Sequence, residues 1–270
     1  MQFDHVAQKG LVLLGCGKMG SAMLAGWLES GLPPRSVHVI EPVASEWLKA
    51  SGVCLNADLP AEPAVVVLAV KPQMMGEALP AVQALGNGQS LFISIAAGTS
   101  LRRLGEILGE RTPIIRAMPN TPAAVGHGIS ALVGNAHCSE RELGLAEALL
   151  SAVGATLRLE DESQIDAVTA VSGSGPAYVF HLIEAMAMAG EAEGLSSEMA
   201  MQLARATVIG AGRLAAGSAE TAEQLRRNVT SPKGTTEAAL NVLMDQDTGL
   251  PPLMQRAIAA AAARARELSE

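Results

Sequence analysis

A short apolar run that breaks directly into a glycine turn constrains this chain most. Leu11-Val12-Leu13-Leu14 reads as a buried parallel strand, and Gly15-Cys16-Gly17-Lys18-Met19-Gly20 follows without a linker. A helical pattern then continues through Leu24 and Leu28 to Ser30-Gly31. Strand, glycine turn and helix in that order give the G-x-G-x-x-G spacing its context. The first glycine makes the sharp turn, the second lets a pyrophosphate approach the backbone, and the third lets helix and strand pack closely. The alternative is a tight turn with no ligand. Cys16 fits the turn as a small residue, with a reactive thiol as the other reading.

Further apolar runs repeat the alternation of strand and helix. Val37 to Ile40 reads as a second strand, ending at Glu41, an acid placed either to bond ribose hydroxyls or to sit solvated at a strand end. Strands are expected at Val53 to Leu55, Ala64 to Val70, Leu91 to Ile95, Pro113 to Ala117, Ile129 to Val133 and Ala155 to Leu159. Helices are expected at Gln73 to Leu85, bent at Pro80, at Leu101 to Leu108, and from the capping box Ser139-Glu140-Arg141-Glu142 to Val153. Three strand ends carry loops suited to a ligand crevice: Ala69-Val70-Lys71-Pro72, the small Ala96-Ala97-Gly98, and the rigid Met118-Pro119-Asn120-Thr121-Pro122.

From Ser163 onward every segment reads helical: 163–193, 198–216, 221–228, 235–244 and 252–268. The fold class expected is therefore α/β: a mostly parallel sheet with helices on both faces over residues 1–160, then an all-α domain over 161–270. Aromatic residues are only 2% of the chain, so the cores must be built from Ala, Val, Leu, Ile and Met. The Ala- and Met-rich helices of the second half cannot all bury their apolar faces within one small domain, and at least a homodimer is expected.

Within the first long helix, Val171-Ser172-Gly173-Ser174-Gly175-Pro176-Ala177-Tyr178 places glycines and a proline where they cost about 1 and 3 kcal/mol respectively. Such a break calls for a ligand or a closely packed backbone. His181 beyond it is either an ordinary surface or core histidine or a proton donor. Near the end, Val229-Thr230-Ser231-Pro232-Lys233-Gly234-Thr235-Thr236 reads as a tight turn opening a helix. Hydroxyls and unpaired N–H groups there suit a carboxylate or phosphate, the alternative being an ordinary capping loop.

A formal net charge of −8 argues against nucleic acid or an acidic membrane surface as partner. It does not exclude an anionic small molecule, because a local nest of N–H groups outweighs distant charge. Cys16, Cys54 and Cys138 form no disulfide framework and no metal-site spacing, so a reducing, cytoplasmic compartment and no metal are expected. No signal peptide and no membrane-spanning run are read from the sequence.

Five motifs in this order, 15–20, 69–73, 116–122, 171–178 and 230–236, closely resemble those of pyrroline-5-carboxylate reductase, over nearly the whole chain. The last two are the most specific. The resemblance implies a Rossmann domain followed by a helical dimerisation domain, with dimers often joined into larger rings. It implies hydride transfer from NADPH or NADH to the C=N carbon of 1-pyrroline-5-carboxylate, giving L-proline in the last step of proline biosynthesis. Carried onto this sequence, the coenzyme would meet Gly15, Cys16, Gly17, Lys18, Met19, Gly20, Glu41, Asn56, Ala69, Val70, Lys71, Pro72, Ala96, Ala97, Gly98, Met118, Pro119 and Asn120. Val229, Thr230, Ser231, Gly234, Thr235 and Thr236 would bind substrate, with Thr236 the catalytic residue, its hydroxyl at the ring nitrogen. Glu41 would oppose a 2′-phosphate and lean the chain towards NADH.

One position departs from the family pattern, which has two glycines where this chain has Lys233-Gly234. Either Lys233 is strained in a left-handed conformation, or its ammonium helps hold a carboxylate. The β-hydroxyacid dehydrogenases resemble this chain too, but use a lysine on the long interdomain helix, and residues 163–193 contain none. A nucleotide sensor with a dead active site is the reading from another class; imine-dependent NADH oxidation separates the two.

Overall fold

The computed structural model describes residues 3–269. Eight strands form one sheet in the order β3-β2-β1-β4-β5-β6-β7-β8. They are β1 (Leu11–Leu14), β2 (Val37–Ile40), β3 (Cys54–Leu55), β4 (Val65–Leu68), β5 (Leu91–Ser94), β6 (Ile114–Met118), β7 (Gly128–Gly134) and β8 (Gly154–Arg158). Neighbours are parallel except β6 and β7, which are antiparallel. β1 lies between β2 and β4, with Leu11 in register with both Val37 and Val65. The chain leaves β1 in one direction and returns to its other side, so a crevice opens at the carboxyl ends of β1 and β4.

The period of two along each strand sends alternate side chains into two separate cores. Leu11 and Leu13 pack with Met23, Leu24 and Trp27 of α2 (Lys18–Glu29) and with Leu149 and Leu150. Val12 and Leu14 pack on the other face with Met75, Leu79, Phe92, Leu104 and Leu108. Helices therefore cover both faces, as expected for this class. The indole of Trp27 is fully buried and its N–H donates to the Leu149 carbonyl at 2.8 Å, which satisfies its one polar group.

Some elements differ from the sequence reading. A short helix α1 (Asp4–Lys9) precedes β1 and buries only Val6. The helix expected at Gln73 to Leu85 is a chain of short turns around α4 (Met75–Ala78), itself preceded by α3 (Glu46–Ala50). Pro72 and Pro80 remove two backbone donors there, so no continuous helical ladder can form. Beyond it come α5 (Leu101–Leu108) and α6 (Glu140–Leu150), the latter opening with the capping box of Ser139 and Glu142.

After β8 the chain is helical: α7 (Gln164–Val168), a π-turn (Thr169–Gly173), α8 (Gly175–Ala192), α9 (Ser197–Gly217), α10 (Ala222–Asn228), α11 (Thr235–Leu243) and α12 (Leu250–Ser269). The change of pattern and the division into compact units fall at different places. One unit runs to Ser174 and takes in the chain from Ala261; the other is Gly175–Ala260. α7 and the π-turn belong to the first, with Ile165 and Ala170 fully buried.

Taken by itself, the second unit has a minimal core. Ala187, Ala200 and Ala204 form its buried cluster, with Ile183 against it. α8 and α9 approach closely at Gly190, where a Cβ would lie 3.3 Å from that of Ala200. Large apolar side chains stay exposed in the single chain, Phe180 at 61% and Met188 at 70% among them.

Candidate active site

The glycine turn has one geometric job per glycine. Gly15 sits at φ +88°, and a Cβ there would lie 2.9 Å from the Ala69 carbonyl oxygen. A Cβ at Gly20 would lie 2.6 Å from the Gly15 carbonyl oxygen, so α2 can approach β1 only without one. Gly17 meets nothing within 4 Å. It also starts α2 with no side-chain cap, so the first N–H groups of that helix are presented to whatever fills the space. A turn cleared of Cβ atoms, beside uncapped helix N–H groups, fits the pyrophosphate of a dinucleotide. Lys18 is exposed at the start of α2, while Met19 packs onto the sheet core.

Beside this turn lies a cleft of about 330 Å³. Gly15, Gly17, Glu41, Ala69, Val70 and Lys71 all line it, along with Met74 and Ala78. Its walls are mostly apolar, which suits an adenosine end. Ala69 is tied to β1 through its N–H and the Leu14 carbonyl, at 2.8 Å. Pro72 opens the next turn.

The Glu41 carboxylate has a role that neither sequence reading contained. It braces the glycine turn: Oε2 accepts from the Cys16 N–H at 2.7 Å and Oε1 from the Val43 N–H at 3.0 Å. Asn56, at φ +47°, holds the Glu41 backbone from both sides, accepting its N–H at 2.9 Å and donating to its carbonyl at 3.0 Å. Each carboxylate oxygen keeps acceptor capacity for a ribose hydroxyl.

The Cys16 thiol is pushed up to about 11 by burial and by the charge of Glu41. Burial does the same to Cys138. The thiolate is the nucleophile, and at pH 7.5 its fraction falls by about two orders of magnitude relative to an ordinary cysteine. Alkylation of both residues by iodoacetamide, followed by peptide mapping, should lag a free cysteine peptide by about that factor; labelling at the free rate would show a reactive Cys16.

At the next two strand ends, Ala96 is buried, Ala97 is half-buried and Gly98 turns at φ +75°. A Cβ at Gly98 would lie 2.7 Å from the Leu268 carbonyl oxygen, so the end of α12 packs on this loop. Met118 closes β6, and Pro119 and Asn120 follow. The Asn120 side chain donates to the Ser172 carbonyl at 3.3 Å and accepts from the Ile129 N–H at 2.9 Å. Sequence reasoning missed one pair here. Arg116, 4% exposed, donates to Glu162 at 2.8 Å, and the same carboxylate oxygen accepts from the Leu101 N–H that opens α5. An arginine inside a buried strand was the available signal, since such a charge must find a partner.

The loop 229–236 lies in the second unit. Gly234 caps α11 with extended geometry and no side-chain cap, leaving the N–H groups of the first turn without one. The Gly234 N–H bonds the Ser231 carbonyl at 3.0 Å, and the Thr230 hydroxyl donates to the Arg226 carbonyl at 2.6 Å. Thr236 is half-buried, Thr235 exposed, and Val229 61% exposed. Lys233 has φ +61°, the left-handed region, with its N–H held by the Glu237 carboxylate at 2.7 Å. Of the two readings of this departure, strain is the one present in the backbone. Replacing Lys233 by Gly should stabilise the protein by about 1 kcal/mol in denaturant unfolding; a lower midpoint would mean that the lysine side chain outweighs the strain. His181 is an exposed residue of α8, 3.2 Å from Glu184. Among the described residues no cluster of three or more His, Cys, Asp or Glu could hold a metal, and no helix is long and apolar enough to cross a membrane.

Comparison with known proteins places these features in context. Residues 162–268 match the family described as pyrroline-5-carboxylate reductase dimerisation, and residues 10–98 the family described as NADP oxidoreductase coenzyme F420-dependent. The pyrroline-5-carboxylate reductase of Pseudomonas aeruginosa is 43% identical over 96% of this chain and 97% of its own length. The structure of a pyrroline-5-carboxylate reductase from Coxiella burnetii superposes with a TM-score of 0.91 at 36% identity, covering 97% of this chain and 99% of that one. The Plasmodium falciparum pyrroline carboxylate reductase with NADP bound gives a TM-score of 0.83 at 26% identity, covering 98% and 99%.

Proposed function

This chain belongs to the pyrroline-5-carboxylate reductase family, and from that premise we propose that it reduces 1-pyrroline-5-carboxylate to L-proline, the last step of proline biosynthesis, with NADPH or NADH. The observation that carries the reading is the start of α11: an uncapped helix N-terminus bearing Thr235 and Thr236, in a chain whose glycine turn is cleared for a pyrophosphate. Bound in the cleft, the reduced dinucleotide supplies a hydride to the C=N carbon. The first N–H groups of α11, with Ser231 and Thr235 beside them, hold the substrate carboxylate without a cationic side chain, and Thr230 shapes the loop through its bond to the Arg226 carbonyl. The Thr236 hydroxyl holds the ring nitrogen, where the electron pair of the broken π bond arrives and one proton completes the amine. A protonated imine is already electrophilic, so holding it in place supplies much of the rate.

Residues 1–160 serve the coenzyme and 161–270 serve substrate and assembly. The apolar faces left open on α8 and α9 support a homodimer, and dimers joined into a ring extend that reading. The absence of disulfide pairing among Cys16, Cys54 and Cys138 supports a cytoplasmic setting. The test is NAD(P)H oxidation at 340 nm with the imine. Imine-dependent turnover supports the reading, and none with either coenzyme refutes it in favour of a nucleotide sensor.

Glu41 sets the coenzyme choice in this proposal, because its charge faces the place of a 2′-phosphate. Wild type should favour NADH in kcat/KM, and Glu41→Ser should move the NADPH/NADH ratio upward by about tenfold, the scale of one charge interaction near the surface. Because Glu41 also braces the Cys16 N–H, the substitution should lower kcat/KM with both coenzymes as well. An unchanged ratio would leave Glu41 as a brace alone.

A further inference from the structure

We infer that Asn120 is a positioning residue: it clamps the loop after β6 onto the π-turn, through a backbone carbonyl that Pro176 leaves without its helical donor. This rests on the proposed function and refines one of its coenzyme contacts. In a continuous α-helix the Ser172 carbonyl would accept from the amide of residue 176. That residue is Pro176, which has no N–H. The Asn120 Nδ2 group donates to this carbonyl at 3.3 Å. Its Oδ1 accepts from the Ile129 N–H at the start of β7, at 2.9 Å. Two partners of opposite kind fix which way the amide points. Both ends of the side chain are thus committed to backbone groups, and the Asn120 carbonyl also accepts from the Ala123 N–H at 3.1 Å.

A second contact reinforces the clamp. A Cβ at Gly173 would lie 2.7 Å from Met118 Cε, so the π-turn packs against the side chain of the last residue of β6. The proline of one motif and the asparagine of another are therefore two halves of one arrangement. Its effect is to hold Met118 and Pro119, two of the residues the coenzyme is expected to meet, still at the carboxyl end of β6.

The test combines a readout on the free protein with a double-mutant cycle. In hydrogen exchange without coenzyme, Asn120→Ala should speed exchange about tenfold in the peptide containing Ile129, because one net hydrogen bond is lost. Asn120→Asp keeps the acceptor and loses the donor to Ser172. It should lower kcat about tenfold while the Kd for NAD(P)H, read by fluorescence, stays within about twofold. Pro176→Ala restores an N–H that competes for the Ser172 carbonyl, so in that background Asn120→Asp should cost much less. Equal cost in both backgrounds, or a coenzyme Kd weakened about as much as kcat, would make Asn120 a direct coenzyme ligand and overturn the clamp. An inactive wild type would refute the reductase reading instead, and the clamp would then be decided by denaturant midpoints in the same double-mutant cycle, coupling between Asn120→Asp and Pro176→Ala supporting it and additivity overturning it.

Discussion

Thr236→Val loses about tenfold to hundredfold in kcat/KM for the imine, the equivalent of about 1–3 kcal/mol for one hydrogen bond to a buried polar group. Valine keeps the shape of threonine and removes only the hydroxyl. Thr236 stands in the first turn of α11, half-buried, beside N–H groups that no side chain caps. Its hydroxyl is a neutral group that can donate to an amine product or accept from a protonated imine. Coenzyme affinity should be unchanged, since the glycine turn and its cleft are built from other residues. Steady-state kinetics with the imine, beside a coenzyme titration, decide the matter. Full kcat/KM in Thr236→Val would reduce this residue to a helix-start threonine.

Phe180→Asp should abolish both assembly and turnover. The second unit buries little more than three alanines in its own cluster, while Phe180 stands 61% exposed on α8. With Val179, Leu182, Met186 and Met188 of the same helix also exposed, this apolar area has the character of an interaction surface. A two-fold contact places each substitution in the interface twice, and an unpaired carboxylate there costs about 3 kcal/mol per copy, or roughly 10⁴-fold in the dimer Kd. Light scattering should then give the single-chain mass of 27.7 kDa, and activity should fall with it. Helical content should survive, because the contact between α8 and α9 runs through Ala187, Ala200, Ala204 and Gly190 and not through Phe180. Unchanged mass and activity would show that this face of α8 lies outside the interface.

What was legible in the sequence was local. The apolar runs of β1, β4 and β5 announce buried strands because both faces of each are covered. The glycine turn announces itself because only glycine fits at Gly15 and Gly20. What stayed hidden depends on partners far apart in the chain. Arg116 and Glu162, or Asn120 and Ser172, have no common local pattern, and only the folded sheet brings them to hydrogen-bond distance. Glu41 shows both sides. Its place at the end of β2 was read correctly, but its grip on the Cys16 N–H arises from how β1 and β2 lie together. The short α1 escaped because a single buried residue, Val6, sets no periodicity.

The central place of β1 also sets the order in which this protein can be made. β1 is the first strand to emerge during synthesis, yet one of its edges must wait for β4. Until Val65–Leu68 is available, Leu11–Leu14 is an apolar segment with an open side, the kind that invites misassembly. Parallel pairing between distant segments is slow, whereas the antiparallel β6 and β7 are joined by a nearby loop and can close quickly once both have been made. The crevice between β1 and β4 comes into being only with the pairing of those two strands. A dinucleotide bound there would stabilise the folded chain by mass action, and only once β1 and β4 have paired.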